Sequence, residues 1–190
     1  MLDLLFYLEI GFFHVLDWNA YDHLLFLMAL TIPFSFKQFK TVFWIVTFFT
    51  LGHSVSLFFS AYGIYSPPEK IIEILIPITI VITGINNIYK SNSTVSYNLS
   101  SFTISLLFGL IHGFGFGNYF NQISFPLESK INPLIGFAFG VEASQLIIVL
   151  GILIINLLIV KLGSINLSNY IRIVSSVIIG FSLNMILNLI

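Results

Sequence analysis

The sequence predicts an all-α fold: a polytopic integral membrane helix bundle of six transmembrane helices plus a short N-terminal half-helix or seventh span. Three observations carry this expectation. Of 190 residues, 57% are hydrophobic and only 8% are charged, against about 25% charged in a soluble domain. The hydrophobic residues fall into long continuous runs separated by Pro, Gly or polar breaks. Every Lys and Arg lies in a break or at the edge of a run. So few charges cannot cover a water-facing surface, which excludes an ordinary soluble enzyme and a disordered tail. Seven Lys+Arg against eight Asp+Glu give a net charge of −1, without the basic stripe that a nucleic-acid binder needs. Barrel strands would alternate over about 10 residues, and these runs do not. Cysteine is absent, which excludes disulfides, thiolate metal sites and cysteine nucleophiles.

The elements follow in order. Residues 1–17 are apolar but carry Asp3, Glu9 and Asp17. With no basic n-region and no small-residue cleavage site, the segment reads as mature chain rather than signal peptide. It falls short of the about 20 residues that a crossing needs, so a half-helix, an interfacial helix or an extra span all fit. Spans are expected near 20–36, 40–62, 68–90, 99–121, 132–160 and 167–190, in a single transmembrane domain covering 1–190. The breaks between them are Lys37-Gln38, Ser66-Pro67-Pro68, the polar run from Lys90 to Asn98, the run from Phe125 to Pro133, and Gly163-Ser164. Trp18 and Trp44 near span ends fit interfacial anchoring.

Charge gives a direction. Lys37 and Lys40, Lys90, and Lys161 with Arg172 fall in alternate connections, while Lys70 and Lys130 in the others are accompanied by Glu69 and Glu128. The positive-inside rule places the first set in the cytoplasm. The expected location is the plasma (inner) membrane, with multiple passes.

Acids and histidines break the rule that the basic residues obey. Asp22, Glu73, Glu142, His23, His53 and His112 sit within or at the mouth of apolar spans, with His14 just before them. Ionisable residues at membrane depth are costly and default to a functional role. At 1.5 Å per residue, the groups on five spans fall in the outer half of the bilayer. The set has no Lys or Arg, so its charge must be neutralised by protons, by water access or by a bound cation. Imidazole and carboxylate without thiolate suit Ni²⁺, Co²⁺, Zn²⁺ or Fe²⁺ better than Cu⁺.

Periodicity adds neighbours. Thr47, Thr50 and Ser54 recur at i, i+3, i+7 beside His53, a polar stripe on an apolar helix. Glu73, Pro77, Gly84 and Asn87 share one face, and Ser101, Ser105 and His112 another. Gly109, Gly113 and Gly117, and Gly136, Gly140 and Ser144, form small-residue ridges that let helices approach closely and offer a surface for oligomers. Gly113, Gly115 and Gly117 are expected to loosen the helix after His112 and expose carbonyls. His14 and His23 would lie on opposite faces of a continuous helix, about 900° apart. A turn at Asp17-Trp18-Asn19-Ala20 would instead fold His14 over Asp22 and His23. Ser54 and Gln145 are expected as hydrogen-bond partners behind the ligands.

The stretch from His14 through Tyr21-Asp22-His23-Leu24-Leu25-Phe26 resembles the hydrogenase/urease accessory membrane proteins, the HupE/UreJ family. Gly52-His53-Ser54, Glu73 to Pro77, Phe108 to Phe116 and Gly140-Val141-Glu142 with Gln145 extend the resemblance, in order, over most of the chain. It implies a small polytopic protein of nickel uptake or metal supply, with a metalloenzyme maturation system as partner. The separate nickel/cobalt permeases carry His-x4-Asp-His on one helix. The spacing here is His-x7-Asp-His, so that single-helix ligand geometry does not transfer.

Two functions are expected from different classes. A transporter of Ni²⁺ or Co²⁺ would hold its substrate on His23, His53, His112, Asp22, Glu73, Glu142 and His14. An intramembrane zinc-dependent hydrolase would act on a lipid or lipid-linked substrate, with Glu73 or Glu142 as general base. No H-E-x-x-H or G-x-S-x-G motif supports the hydrolase.

Overall fold

The computed structural model describes residues 2–17, 21–92, 99–125, 127, 129–163 and 166–189. Trp18 and the interruption expected at 18–20, the polar run 93–98, Glu128 and Ser164 lie outside them, as does the side chain of Asp3. The described residues form α1 (Leu2–Val15), α2 (Asp22–Thr31), α3 (Phe39–Ala61), α4 (Glu69–Lys90), α5 (Leu99–Ile123), α6 (Ile131–Leu162) and α7 (Leu167–Leu189), with a 3-10 turn at Phe36–Gln38. No strand occurs among them. Four segments are long and apolar enough to cross a membrane by themselves: Phe36–Ala61, Glu69–Lys90, Ile131–Leu162 and Leu167–Leu189. The protein is a helical membrane bundle.

Punctuation in the sequence sets the helix ends. α2 stops two residues before Pro33, which cannot continue a helix. α4 begins directly after Pro68, since fixed φ and a missing N–H suit a helix start. α6 ends on Gly163 at φ 71°, a left-handed position that glycine occupies without strain.

Glycine also decides which helices touch. A Cβ on Gly52 would meet the backbone of Leu106 and Leu110, and one on Gly109 the backbone of Phe49 and His53. Gly113 abuts His53 and Ser56, and Gly117 abuts Ser60. Residue numbers rise together in these contacts, so α3 and α5 are parallel. Gly136 likewise abuts Leu4, and Gly140 abuts Leu8 and Phe12, so α1 runs parallel to the first half of α6. α7 is antiparallel to α4, with Ile179 on Gly84 and Arg172 Nε donating to Ser91 Oγ at 2.8 Å. The glycine ridges are thus consumed by packing within the chain. The loosening expected at Gly113 to Gly117 does not occur: α5 is unbroken through Ile123, with Gly113 and Gly117 held against α3 and Gly115 against Ile72 and Ile76 of α4.

The bundle has two ends. Ala61, Glu69, Ile123 and Ile131 define the upper end, where Lys130 Nζ donates to the Ala61 carbonyl at 2.8 Å. Phe39, Lys90, Leu99, Leu162 and Leu167 define the lower end. α1 starts high, where Tyr7 Oη donates to the Ile123 carbonyl at 2.8 Å. α2 ends low, where Asn156 Nδ2 donates to the carbonyls of Ile32 and Phe34 at 3.3 and 3.1 Å. At 14 and 10 residues, neither reaches the about 20 residues of a full crossing. Stacked end to end beside the 32-residue α6, they make one discontinuous passage. The segment expected as a span over 20–36 is therefore the lower part of that passage, and residues 2–15 are its upper half-helix.

Candidate metal centre

The break between α1 and α2 places two histidines at mid-depth. His14 lies in the last turn of α1, and His23 is the second residue of α2. His53 stands about 21 Å up α3 from Phe39, and His112 about 20 Å up α5 from Leu99. The glycine contacts fix these two relative to each other, since Gly109 and Gly113 lie directly on the backbone of His53.

The rings converge. The centroids of His14 and His23 are 4.7 Å apart, and each is 5.9 Å from that of His53. The His112 ring is 5.5 Å from that of His23. One ligating nitrogen from each of His14, His23 and His53 lies within 4.8 Å of the others. A tetrahedral ion bound at about 2.0–2.1 Å sets such nitrogens about 3.4 Å apart. Closing the difference takes a shift of at most about 1.4 Å between side chains.

Nitrogen bookkeeping points the same way. The Nε2 atoms of all four histidines are buried and have no hydrogen-bond partner. An unpaired buried polar group costs about 1–3 kcal/mol, so four together are expensive unless something binds to them. Two of the opposite nitrogens are tied down. His23 Nδ1 donates to Asp22 Oδ1 at 3.0 Å, and His112 Nδ1 donates to the Phe108 carbonyl at 2.8 Å. A neutral imidazole that donates from Nδ1 presents a lone pair at Nε2. This is the orientation that metal-binding histidines need.

Around the rings the walls are aromatic. Phe116 lies 4.0 Å from His14, Phe26 and Phe49 each 5.1 Å from His112, and Phe137 5.9 Å from His53, centroid to centroid. A cavity of about 890 Å³ opens onto His14, His23 and His112. Its ionisable lining besides histidine and Tyr119 is Asp17, Asp22 and Glu73, with no Lys or Arg.

A family model described as HupE / UreJ protein matches residues 2–188. The chain belongs to the HupE/UreJ family. No curated protein and no solved structure matches it.

In this HupE/UreJ chain the residues expected at the site divide into three groups. The four histidines come together, with His14 carried in by the last turn of α1. Asp22 and Glu73 stand beside them. Asp22 Oδ1 accepts from both the backbone N–H (2.8 Å) and Nδ1 of His23, so it orients that ring while favouring the helix start. Glu73 is exposed on the cavity wall. Glu142 is elsewhere: it accepts from Thr47 Oγ1 at 2.7 Å and from Thr50 Oγ1. Gln145 joins Glu142 through Thr50, and Ser54 donates to the Thr50 carbonyl at 2.8 Å. Neither makes a hydrogen bond to a histidine in the described contacts.

Sequence reasoning missed Asp17, which reads as interfacial but lines the cavity. It also missed the phenylalanine shell, which carries no signal in a chain with 21 Phe. The link of Thr47 and Thr50 to Glu142 had a signal, the polar stripe on α3, but its partner helix was unknown.

Proposed function

We propose that the protein is a membrane transporter or metal-supply protein for a divalent transition metal of the nickel/cobalt type. One observation carries this reading: four buried imidazole Nε2 atoms have no partner, and three of the four histidines, His14, His23 and His112, line a cavity whose charged lining is carboxylate. Membership in a family of hydrogenase/urease accessory proteins supports the choice of ion. His14, His23 and His53 would hold the ion as substrate, with His112 as a fourth donor and Glu73 attracting cations toward them. Lys90 and Lys161 lie in the last turns of α4 and α6 at the lower end, and Arg172 beside them. By the positive-inside rule the lower end faces the cytoplasm and the cavity faces outward.

The second reading, a zinc-dependent hydrolase, draws on the size of the cavity. Six waters around an ion take about 180 Å³ at about 30 Å³ each, a fraction of the 890 Å³ present. Ile10, Phe13, Ile76, Phe116, Met185 and Leu189 give it apolar walls suited to an acyl chain. Zinc would supply an activated water there, and Glu73, not Glu142, would be the base within reach of the cavity.

Element analysis and metal titration of the purified protein separate the two. Transport predicts no retained metal, micromolar binding of added Ni²⁺ or Co²⁺ lost in His53→Ala and His112→Ala, and uptake into vesicles. Stoichiometric zinc that survives dialysis and disappears in both variants selects the hydrolase. Undiminished metal binding in both variants rejects the site.

A further inference from the structure

Glu142 anchors a cluster of its own, toward the lower end from the histidines. Thr50 and Thr47 precede His53 by three and six residues, which puts them about 4.5 and 9 Å lower on α3. Thr47 Oγ1 lies 2.7 Å from Glu142 Oε1 and 3.0 Å from the Phe43 carbonyl. Thr50 Oγ1 contacts Glu142 Oε2, and lies 3.0 Å from Gln145 Oε1 and 3.3 Å from the Val46 carbonyl. Each hydroxyl carries one proton. The two helix carbonyls already accept backbone N–H groups of α3, so the two hydroxyl protons face three side-chain oxygens: both of Glu142 and the amide oxygen of Gln145.

Gln145 sharpens the imbalance. It is 0% exposed and turns its amide oxygen into the cluster, while its Nε2 has no partner. No Lys or Arg side chain bonds to Glu142 among the described contacts, and the basic residues stand at helix ends or connections. A carboxylate inside a membrane bundle needs compensation. A surplus of acceptors converging on that carboxylate calls for positive charge among them.

We propose that Glu142, Thr47, Thr50 and Gln145 form an oxygen-only site for a small monovalent cation, Na⁺, distinct from the histidine centre. One carboxylate charge balances one positive charge, whereas a divalent ion would leave net charge in a low-dielectric interior. Carboxylate, hydroxyl and amide oxygens are hard donors and suit an alkali ion, while nickel-type ions prefer the imidazoles above. The close spacing of the oxygens favours Na⁺ over the larger K⁺. The site lies between the histidines and the lower end, where an ion coupled to metal movement would act. Its existence does not depend on what the histidines bind.

The test is thermal unfolding of the whole chain in nanodiscs, in NaCl, KCl or choline chloride at matched ionic strength and fixed pH. The midpoint is expected to rise saturably with Na⁺, less with K⁺, and not with choline. Thr50→Val keeps the side-chain shape and removes one oxygen, and should raise the half-saturating Na⁺ concentration by about tenfold. Gln145→Leu should do likewise, and both variants keep Glu142 in place should Glu142→Gln fail to fold. His53→Ala should lose transition-metal binding and keep the Na⁺ response. Equal midpoints in the three salts overturn the proposal. So does stabilisation by acid alone, or a Na⁺ response that Thr50→Val and Gln145→Leu leave intact.

Discussion

Gly109→Ala is the most informative single change, because it alters no candidate ligand side chain and should still loosen the histidine cluster. The new Cβ would meet the Phe49 carbonyl oxygen, with Phe49 C at 2.9 Å and His53 N at 3.0 Å. All are backbone atoms, so no side-chain rotation relieves the clash. Ordinary contact lies near 3.5 Å, so α3 and α5 must part by at least about 0.5 Å. A gap of about 0.5–1 Å already forfeits a quarter to a half of each dispersion contact. Overpacking of this kind costs about 1–3 kcal/mol. The same displacement shifts His53 on α3 relative to His112 on α5, in a cluster whose nitrogens must instead draw together to share an ion. We expect Gly109→Ala to lower the unfolding midpoint and to weaken Ni²⁺ or Co²⁺ binding about tenfold or more. Gly151→Ala is the control. It sits in α6 with nothing within 4 Å of its would-be Cβ, and should gain up to about 1 kcal/mol from helix propensity. Thermal unfolding and metal titration of both variants decide the matter. Wild-type stability and metal affinity in Gly109→Ala would refute the reasoning.

Three further outcomes are expected. Asp22→Asn leaves every Nε2 in place but removes the carboxylate that orients His23, so metal affinity should fall about 10–100-fold, read by titration. Asn156→Leu removes donors to the carbonyls of Ile32 and Phe34 at the foot of α2, and should destabilise the protein by about 1–3 kcal/mol without abolishing metal binding. Protons and metal compete for the same imidazole nitrogens, so acidification should release bound metal before the protein unfolds, and metal retained until acid unfolding would exclude imidazole ligation.

The junction of α1 and α2 illustrates what a sequence leaves open. The spacing of His14 and His23 permits opposite faces of one helix or a fold-back over the site. The structure takes neither course: α1 packs on α6 through Gly136 and Gly140, α2 stacks below it, and the two rings meet at the junction, 4.7 Å apart. Glu142 illustrates the converse error. Its depth along the chain puts it near the histidines, but depth says nothing about azimuth. α6 turns it toward Thr47 and Thr50, in a cluster with its own oxygen chemistry.

Composition and run length determined the class of this protein by themselves, because a chain with 8% charge can be stable only where lipid replaces water. The same argument picked out the histidines, since ionisable groups at membrane depth are too costly to be incidental. Which of them share a site was decided by tertiary structure alone. Contacts between helices distant in sequence depend on where glycines let backbones meet and on how each helix is rotated, and periodicity within one helix carries no information about its neighbour's rotation.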